Sequence, residues 1–147
     1  MPNDDAEYVA RLLSQQVPEI ADGTVVIKAI ARRPKYRSKI AVYSHDPKVD
    51  CIAACVGDHG YRIKKIIDDL SGERIDLVRW DESLETLIAN SLQPAAIERI
   101  TLQPAQHRAT VFVKADQFSL AIGRHDLNRG LASKLCAWDI QIVVQSP

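Results

Sequence analysis

The sequence predicts an α+β protein in which one folding unit is used twice. Three observations carry that prediction. Between residues 24 and 80 the hydrophobic pattern runs strand, strand, helix, loop, helix, strand, and between 96 and 144 the same order returns. The loop of the first pass is Gly57-Asp58-His59-Gly60, a G-x-x-G pair between two apolar helical patterns. A damaged copy, Gly123-Arg124-His125-Asp126, stands at the matching place in the second pass. Strands mixed with helices on one side imply a layered α+β sandwich, here in tandem.

Each element has a local reason. Residues 6 to 17 place Val9, Leu12 and Leu13 at helical spacing, with Asp4 or Asp5 available to cap the helix and Pro18 to stop it. Thr24 to Ala31 is rich in β-branched residues and alternates. Lys39 to Ser44 is the second strand, joined to it through Arg33-Pro34-Lys35-Tyr36. Asp50 to Val56 reads as a short helix running into the glycine loop. Gly60 to Leu70 reads as a longer one, with Ile63, Ile66, Ile67 and Leu70 on one face, ended by Gly72. Arg74 to Trp80 alternates as a third strand. Asp81 to Leu92 is a linking helix ended by Pro94. The second pass follows with strands Ala96 to Leu102 and Arg108 to Lys114 and a short helix Asp116 to Ile122. Its loop leads to a longer helix, Leu127 to Cys136, and a last strand, Asp139 to Val144. The expected units are 1–80, with the N-terminal helix, and 81–147, with the linking helix. No Gly/Ser run separates them, so a fixed relation between the two loops is expected.

Composition narrows the function classes. Hydrophobic residues make up 46% and charged residues 26% of 147 positions, as in globular domains and unlike disordered chains. No apolar run is long enough for a membrane helix, and the acidic start, Met1-Pro2-Asn3-Asp4-Asp5, is unlike a secretory signal. Cys51, Cys55 and Cys136 have no framework spacing, which suggests reduced thiols and a cytoplasmic protein. Lysine plus arginine equals aspartate plus glutamate at 19 each, so the formal net charge is zero. That counts against a strongly basic, salt-driven binder, although Lys28, Arg32, Arg33, Lys35, Arg37 and Lys39 cluster. The cluster reads equally as a local basic patch or as a solvated hairpin face. Cys51, Cys55, His45 and His59 do not make a four-ligand zinc pattern, and no phosphate-binding, nucleophile-elbow or zincin motif occurs. Carboxylates such as Asp68, Asp69 and Glu73 read as solvated helix or turn positions. The expectation is therefore no enzyme, no cofactor and no metal.

The loops are the remaining candidates. Gly57 and Gly60 lack Cβ, so the chain can turn sharply and a sugar-phosphate strand can come close. The free N–H groups of the helix that follows point at whatever lies against the loop.

With both loops in view the chain resembles K-homology (KH) domains, and more narrowly the tandem KH region of the NusA transcription factors. The resemblance is carried by Gln16-Val17-Pro18-Glu19-Ile20, Asp22-Gly23-Thr24-Val25, Ser38-Lys39-Ile40-Ala41-Val42 and Ala54-Cys55-Val56-Gly57. It continues in Gly72-Glu73-Arg74-Ile75-Asp76, Ile88-Ala89-Asn90-Ser91-Leu92-Gln93-Pro94-Ala95 and Leu120-Ala121-Ile122-Gly123. It implies two KH folds of the prokaryotic, type II form, each a three-stranded sheet packed on helices. It also implies single-stranded RNA as ligand and RNA polymerase or its elongation complex as the larger partner; separately, a monomer is expected. The function implied is modulation of transcription elongation, termination or antitermination. NusA proteins usually carry a polymerase-binding domain and an S1-type barrel before the KH pair; a fragment and a stand-alone pair are both compatible with this sequence.

In KH recognition the loop clamps about four nucleotides of backbone while bases lie on an apolar groove. Carried onto this chain, Gly57 and Gly60 would give close approach. His59, Arg62 and Lys64 would reach phosphates, and Tyr61 would either stack on a base or stand exposed. Val56, Ile63 and Ile40 would floor the groove or simply pack. Asp58 opposes a phosphodiester, so weakened binding is expected there. In the second copy Gly123, Arg124, His125, Asn128 and Arg129 are the candidate contacts. Asp126 stands where the pattern wants glycine, setting a negative charge where the phosphate should lie; it is expected to cap the helix at Leu127, with loss of the RNA grip as the consequence. The first copy is expected to carry more affinity. Trp80 and Trp138 are expected in core or interface packing. The rival reading is a protein-interaction module of KH shape that contacts polymerase or another factor with little RNA binding. A ribosomal or ribosome-assembly RNA binder is the third.

Overall fold

The hydrophobic patterns close into two three-stranded sheets, each covered by helices, in a computed structural model that describes residues 5–146. The chain divides into two compact units, the first ending at Trp80 and the second beginning at Asp81.

In the first unit α1 (Ala6–Gln16) is capped by Asp5, whose carboxylate accepts the Tyr8 N–H at 3.0 Å; Asp4 lies outside the described residues. Val9 and Leu13 on its inner face are fully buried, and each such side chain contributes about 1.5–3 kcal/mol. Pro18 ends α1 but also opens a further short helix, α2 (Pro18–Ala21). The missing N–H of proline is harmless in a first turn, which is why a stop signal also served as a start.

Strands β1 (Val25–Arg33) and β2 (Arg37–Ser44) pair antiparallel, with a bulge between Ile27 and Ala29. Strand β3 (Arg74–Arg79) lies parallel to β2, giving the order β1-β2-β3. A parallel pair needs a long crossover, and α3 (Cys51–Val56), the glycine loop and α4 (Tyr61–Asp69) supply it. The core gathers Val9, Leu13, Val17, Val25, Ile40, Val42, Cys55 and Ile66. Ile40 is fully buried there, so it is core rather than groove floor.

The basic run of the hairpin divides: Lys28, Arg33 and Lys35 are exposed, whereas Arg32, Arg37 and Lys39 turn to carboxylates of the same unit. Arg32 pairs with Glu73 at 3.0 Å, and Lys39 and Arg37 both reach Asp76 at 2.8 Å. Burial lowers the Lys39 pKa, opposed by the adjacent Asp76 charge. Burial alone would raise the Asp76 carboxyl, but the Lys39 and Arg37 charges and hydrogen bonds hold it below its ordinary value. Glu73 is not a solvated turn residue either; its side chain is fully buried.

The second unit begins with α5 (Leu84–Ser91), shorter than the 81–92 span expected from periodicity. Asp81 accepts the Ser83 N–H at 2.8 Å, and Ser83 then caps the helix through Thr86. A local Asx turn thus replaces the first helical turn. Strands β4 (Arg99–Gln103) and β5 (Arg108–Val113) are antiparallel, and β6 (Asp139–Val144) is parallel to β5. The crossover again consists of a short helix, α6 (Phe118–Ile122), a loop and a longer helix, α7 (Leu127–Cys136). Ile88, Leu92, Val111, Ala132 and Ile140 are fully buried in this unit. Trp80 and Trp138 are half-buried and lie outside the fully enclosed core. Lys28 Nζ sits 4.4 Å from the Trp80 ring centroid, and Trp138 stacks on His107 at 5.0 Å.

Candidate nucleic-acid interface

The two loops have the same backbone. In the first, α3 stops at Gly57 (φ 77°, ψ 173°), His59 is left-handed (φ 55°, ψ 25°), and Gly60 follows at φ 75°, ψ 15°. In the second, α6 stops at Gly123 (φ 76°, ψ 170°), His125 lies at φ 56°, ψ 28°, and Asp126 at φ 61°, ψ 17°. Both loops close with the same peptide hydrogen bonds: Gly60 N–H to Gly57 O at 3.0 Å and Tyr61 N–H to Asp58 O in the first, Asp126 N–H to Gly123 O at 3.2 Å and Leu127 N–H to Arg124 O in the second. Asp126 therefore takes the conformation of the glycine it replaces.

What holds these loops was not read from the sequence. Five residues after the first glycine, a side chain turns back across it to the carbonyls that end the preceding helix, groups with no intrahelical partner. In the first loop this is Arg62, whose Nη1 donates to Ala54 O at 2.7 Å and to Glu19 Oε1 at 2.8 Å. In the second it is Asn128, whose Nδ2 donates to Leu120 O at 3.2 Å, Ala121 O at 3.0 Å and Leu92 O at 3.0 Å. Arg62 and Asn128 were expected to contact RNA; Asn128 is buried, whereas Arg62, though bonded to Ala54 and Glu19, stays half-buried and lines the cleft beside the first loop. The shared offset from Gly57 and Gly123 was the available signal.

The same closure explains the first glycine of each loop. A Cβ on Gly57 would lie 2.6 Å from Arg62 Cγ, and one on Gly123 would lie 2.7 Å from Asn128 Cβ and 2.9 Å from its backbone nitrogen. Both residues also occupy a region of φ,ψ that is nearly glycine-only, at a cost of about 1–3 kcal/mol for any other residue. Gly123→Ala is expected to destabilise more than Gly57→Ala, because backbone cannot swing aside as an arginine stem can. Gly60→Ala, with open space around it, should lose only about 1 kcal/mol. Denaturant unfolding of the three variants checks the order, and equal losses would overturn it.

Other candidates divide by exposure. Asp58, His59, Tyr61 and Lys64 are exposed, Tyr61 at 71%. A cleft of about 490 Å³ opens beside the first loop, lined among others by Gly57, Asp58, Tyr61, Lys48 and Val49. In the second loop Arg124 and His125 are exposed. The capping reading of Asp126 does not hold, since its carboxylate makes no cap hydrogen bond. Arg129 takes it instead, through Nε at 2.8 Å and Nη2 at 2.6 Å. Arg129 is thereby removed from the free cations, and its Nη1 donates to Ile140 O at 2.9 Å.

The cysteines are buried, and burial pushes the Cys55 thiol up to about 12 and raises Cys51. Thiols so disfavoured as thiolates are weak nucleophiles and weak metal ligands. Among the described residues no group of three or more His, Cys, Asp or Glu side chains could hold a metal, and no helix is long and apolar enough to cross a membrane.

Comparison with known proteins places this geometry. The chain is 50% identical over 134 residues to the "Transcription termination/antitermination protein NusA" of Thermus thermophilus, covering 91% of this chain and 35% of that protein. It is 42% identical over 132 residues to the protein of the same name in Bacillus subtilis, covering 90% and 36%. The chain thus spans about a third of the length of these curated relatives. The crystal structure of APE1850 aligns with a TM-score of 0.66 at 22% identity, over 96% of this chain and all of that one, which supports the fold alone. Residues 3–80 match the NusA-like first KH domain and residues 84–147 the NusA-like second KH domain, so the chain belongs to the NusA family of tandem KH domains.

Proposed function

We propose that this chain binds single-stranded RNA through both loops, as the RNA-gripping part of a factor that modulates transcription elongation, termination or antitermination. The observation that carries this is the paired loop backbone on a KH fold, the arrangement that clamps a short stretch of nucleotides. The names of the Thermus and Bacillus relatives supply the transcriptional context. In this reading Gly57, Gly60 and Gly123 admit the sugar-phosphate strand, His59, Lys64, Arg124 and His125 meet phosphates, and Tyr61 stacks on a base. The elongation complex is the larger partner, the site of action is the cytoplasm, the chain acts as a monomer, and its role is binding rather than catalysis.

One observation favours a protein-docking role instead. Asp58 stands exposed at the first loop's tip, and Arg32, Arg37 and Lys39 are spent on internal ion pairs. Salt separates the two readings. If a loop contacts about four phosphates, log affinity for a short single-stranded RNA should fall with log salt at a slope of about −2 to −3. Fluorescence anisotropy from 20 to 300 mM salt measures it. No binding at the lowest salt would sink the RNA reading in favour of the docking module.

A further inference from the structure

The second loop carries a carboxylate where the first has glycine, so it should be strained and should repel a phosphate. Neither consequence follows from the geometry. Aspartate tolerates the left-handed region better than most side-chain-bearing residues, and Asp126 sits at φ 61° beside Gly60's φ 75°. Its two oxygens are gripped by the Nε and Nη2 of Arg129, one turn into α7. Arg129 is itself anchored on the Ile140 carbonyl of β6. The ion pair turns the carboxylate back along the helix and cancels its charge locally.

We propose that Arg129 is a positioning residue for RNA at the second loop. By holding Asp126 it keeps the loop in the two-glycine shape and takes the negative charge off the path of the phosphate. The inference rests on the RNA-binding reading above and reverses the ranking expected from the sequence. With Asp126 neutralised, the exposed tip of the second loop presents Arg124 and His125. The first presents the charge of Asp58 beside His59 at its tip, with Lys64 exposed farther on in α4 and Arg62 committed to Glu19 and Ala54. The degenerate loop is therefore the stronger grip on the backbone.

The test uses the full chain and a fluorescein-labelled single-stranded RNA decamer of mixed sequence at 50 mM salt. Arg129→Met keeps the packed stem and drops the guanidinium; it is expected to weaken binding at least fivefold. Asp126→Gly alone should stay within twofold of the unaltered chain. The double variant Asp126→Gly/Arg129→Met should return to within twofold, although it still lacks the bond to Ile140. A merely structural Arg129 would leave the double variant as weak as Arg129→Met, and that result overturns the proposal. An unchanged Arg129→Met affinity overturns it too. A second arm does not depend on how Arg129 variants fold: Arg124→Ala should weaken binding more than His59→Ala, and the reverse order overturns the ranking. Failure of the unaltered chain to bind the decamer would instead overturn the RNA reading itself.

Discussion

Asn128→Asp is expected to destabilise the second unit by about 2–4 kcal/mol at neutral pH. The Asn128 amide is buried, and its nitrogen donates toward three carbonyls, those of Leu92, Leu120 and Ala121. Aspartate has nearly the same shape but offers only acceptors when ionised, so the two N–H groups shared among these carbonyls give way to an oxygen that repels all of them. Each buried group left unsatisfied costs about 1–3 kcal/mol, and a carboxylate there would rather take up a proton than stay charged. Asn128→Ala should lose about 1–3 kcal/mol, because the carbonyls then lack a partner without meeting a charge. The chain has two tryptophans, Trp80 before the unit boundary and Trp138 after it. A Trp80→Phe background therefore lets fluorescence-detected urea unfolding follow the second unit alone. An Asn128→Asp protein unfolding at the same midpoint as its parent would remove Asn128 from the role assigned here. RNA affinity should fall with stability, since the same amide closes the loop over Gly123.

The error that put Asn128 among the RNA contacts shows what one sequence can reveal. Strand alternation, helical spacing and the repeated strand-strand-helix-loop-helix-strand order are local patterns, and they located both sheets, both crossovers and both loops. The glycines marked the left-handed turns for the same reason, since backbone freedom belongs to a residue rather than to its neighbours. Partner choice is different. Whether Arg62 faces solvent or Ala54, and whether Asp126 caps a helix or meets Arg129, depends on which groups the fold brings within 3 Å. Polar side chains near a presumed ligand were read as ligand contacts, yet orphan carbonyls at the ends of α3 and α6 needed them first. Arg37, Lys39 and Asp76 repeat the lesson across strands β2 and β3, where the register joins Arg37 to Arg74 and Lys39 to Asp76. Arg32, Arg37 and Lys39 looked like surface, as their neighbours Lys28, Arg33 and Lys35 are, because their counter-charges lie far along the chain.

Glu73 is a buried electrostatic commitment in the first unit, and replacing it should show that. Its carboxylate is fully buried, accepts from Arg32 Nε and Nη2 at 3.0 Å, from Ser38 Oγ at 2.6 Å and from the Lys35 N–H at 2.9 Å. These bonds tie the tip of the β1–β2 hairpin to the start of β3. Glu73→Ala strands a largely buried guanidinium and is expected to destabilise the first unit by about 3–5 kcal/mol. The pH dependence follows from the same contacts. Burial by itself raises the Glu73 pKa, but the hydrogen bonds from Arg32, Ser38 and Lys35 outweigh it and hold the group below the ordinary glutamate value of 4.5. A carboxyl depressed in the folded state contributes stability that is whole above its unfolded pKa and disappears as pH falls through the folded one. Stability of the first unit should therefore decline below about pH 4.5, and the decline should be shallower in Glu73→Gln, which has no proton to bind at that position. Urea midpoints of a Trp138→Phe protein between pH 6 and pH 2.5, with and without Glu73→Gln, give the comparison. Parallel declines in the two proteins would mean that the acid sensitivity of this unit lies in Asp76 or elsewhere, and that the buried pair contributes nothing to it.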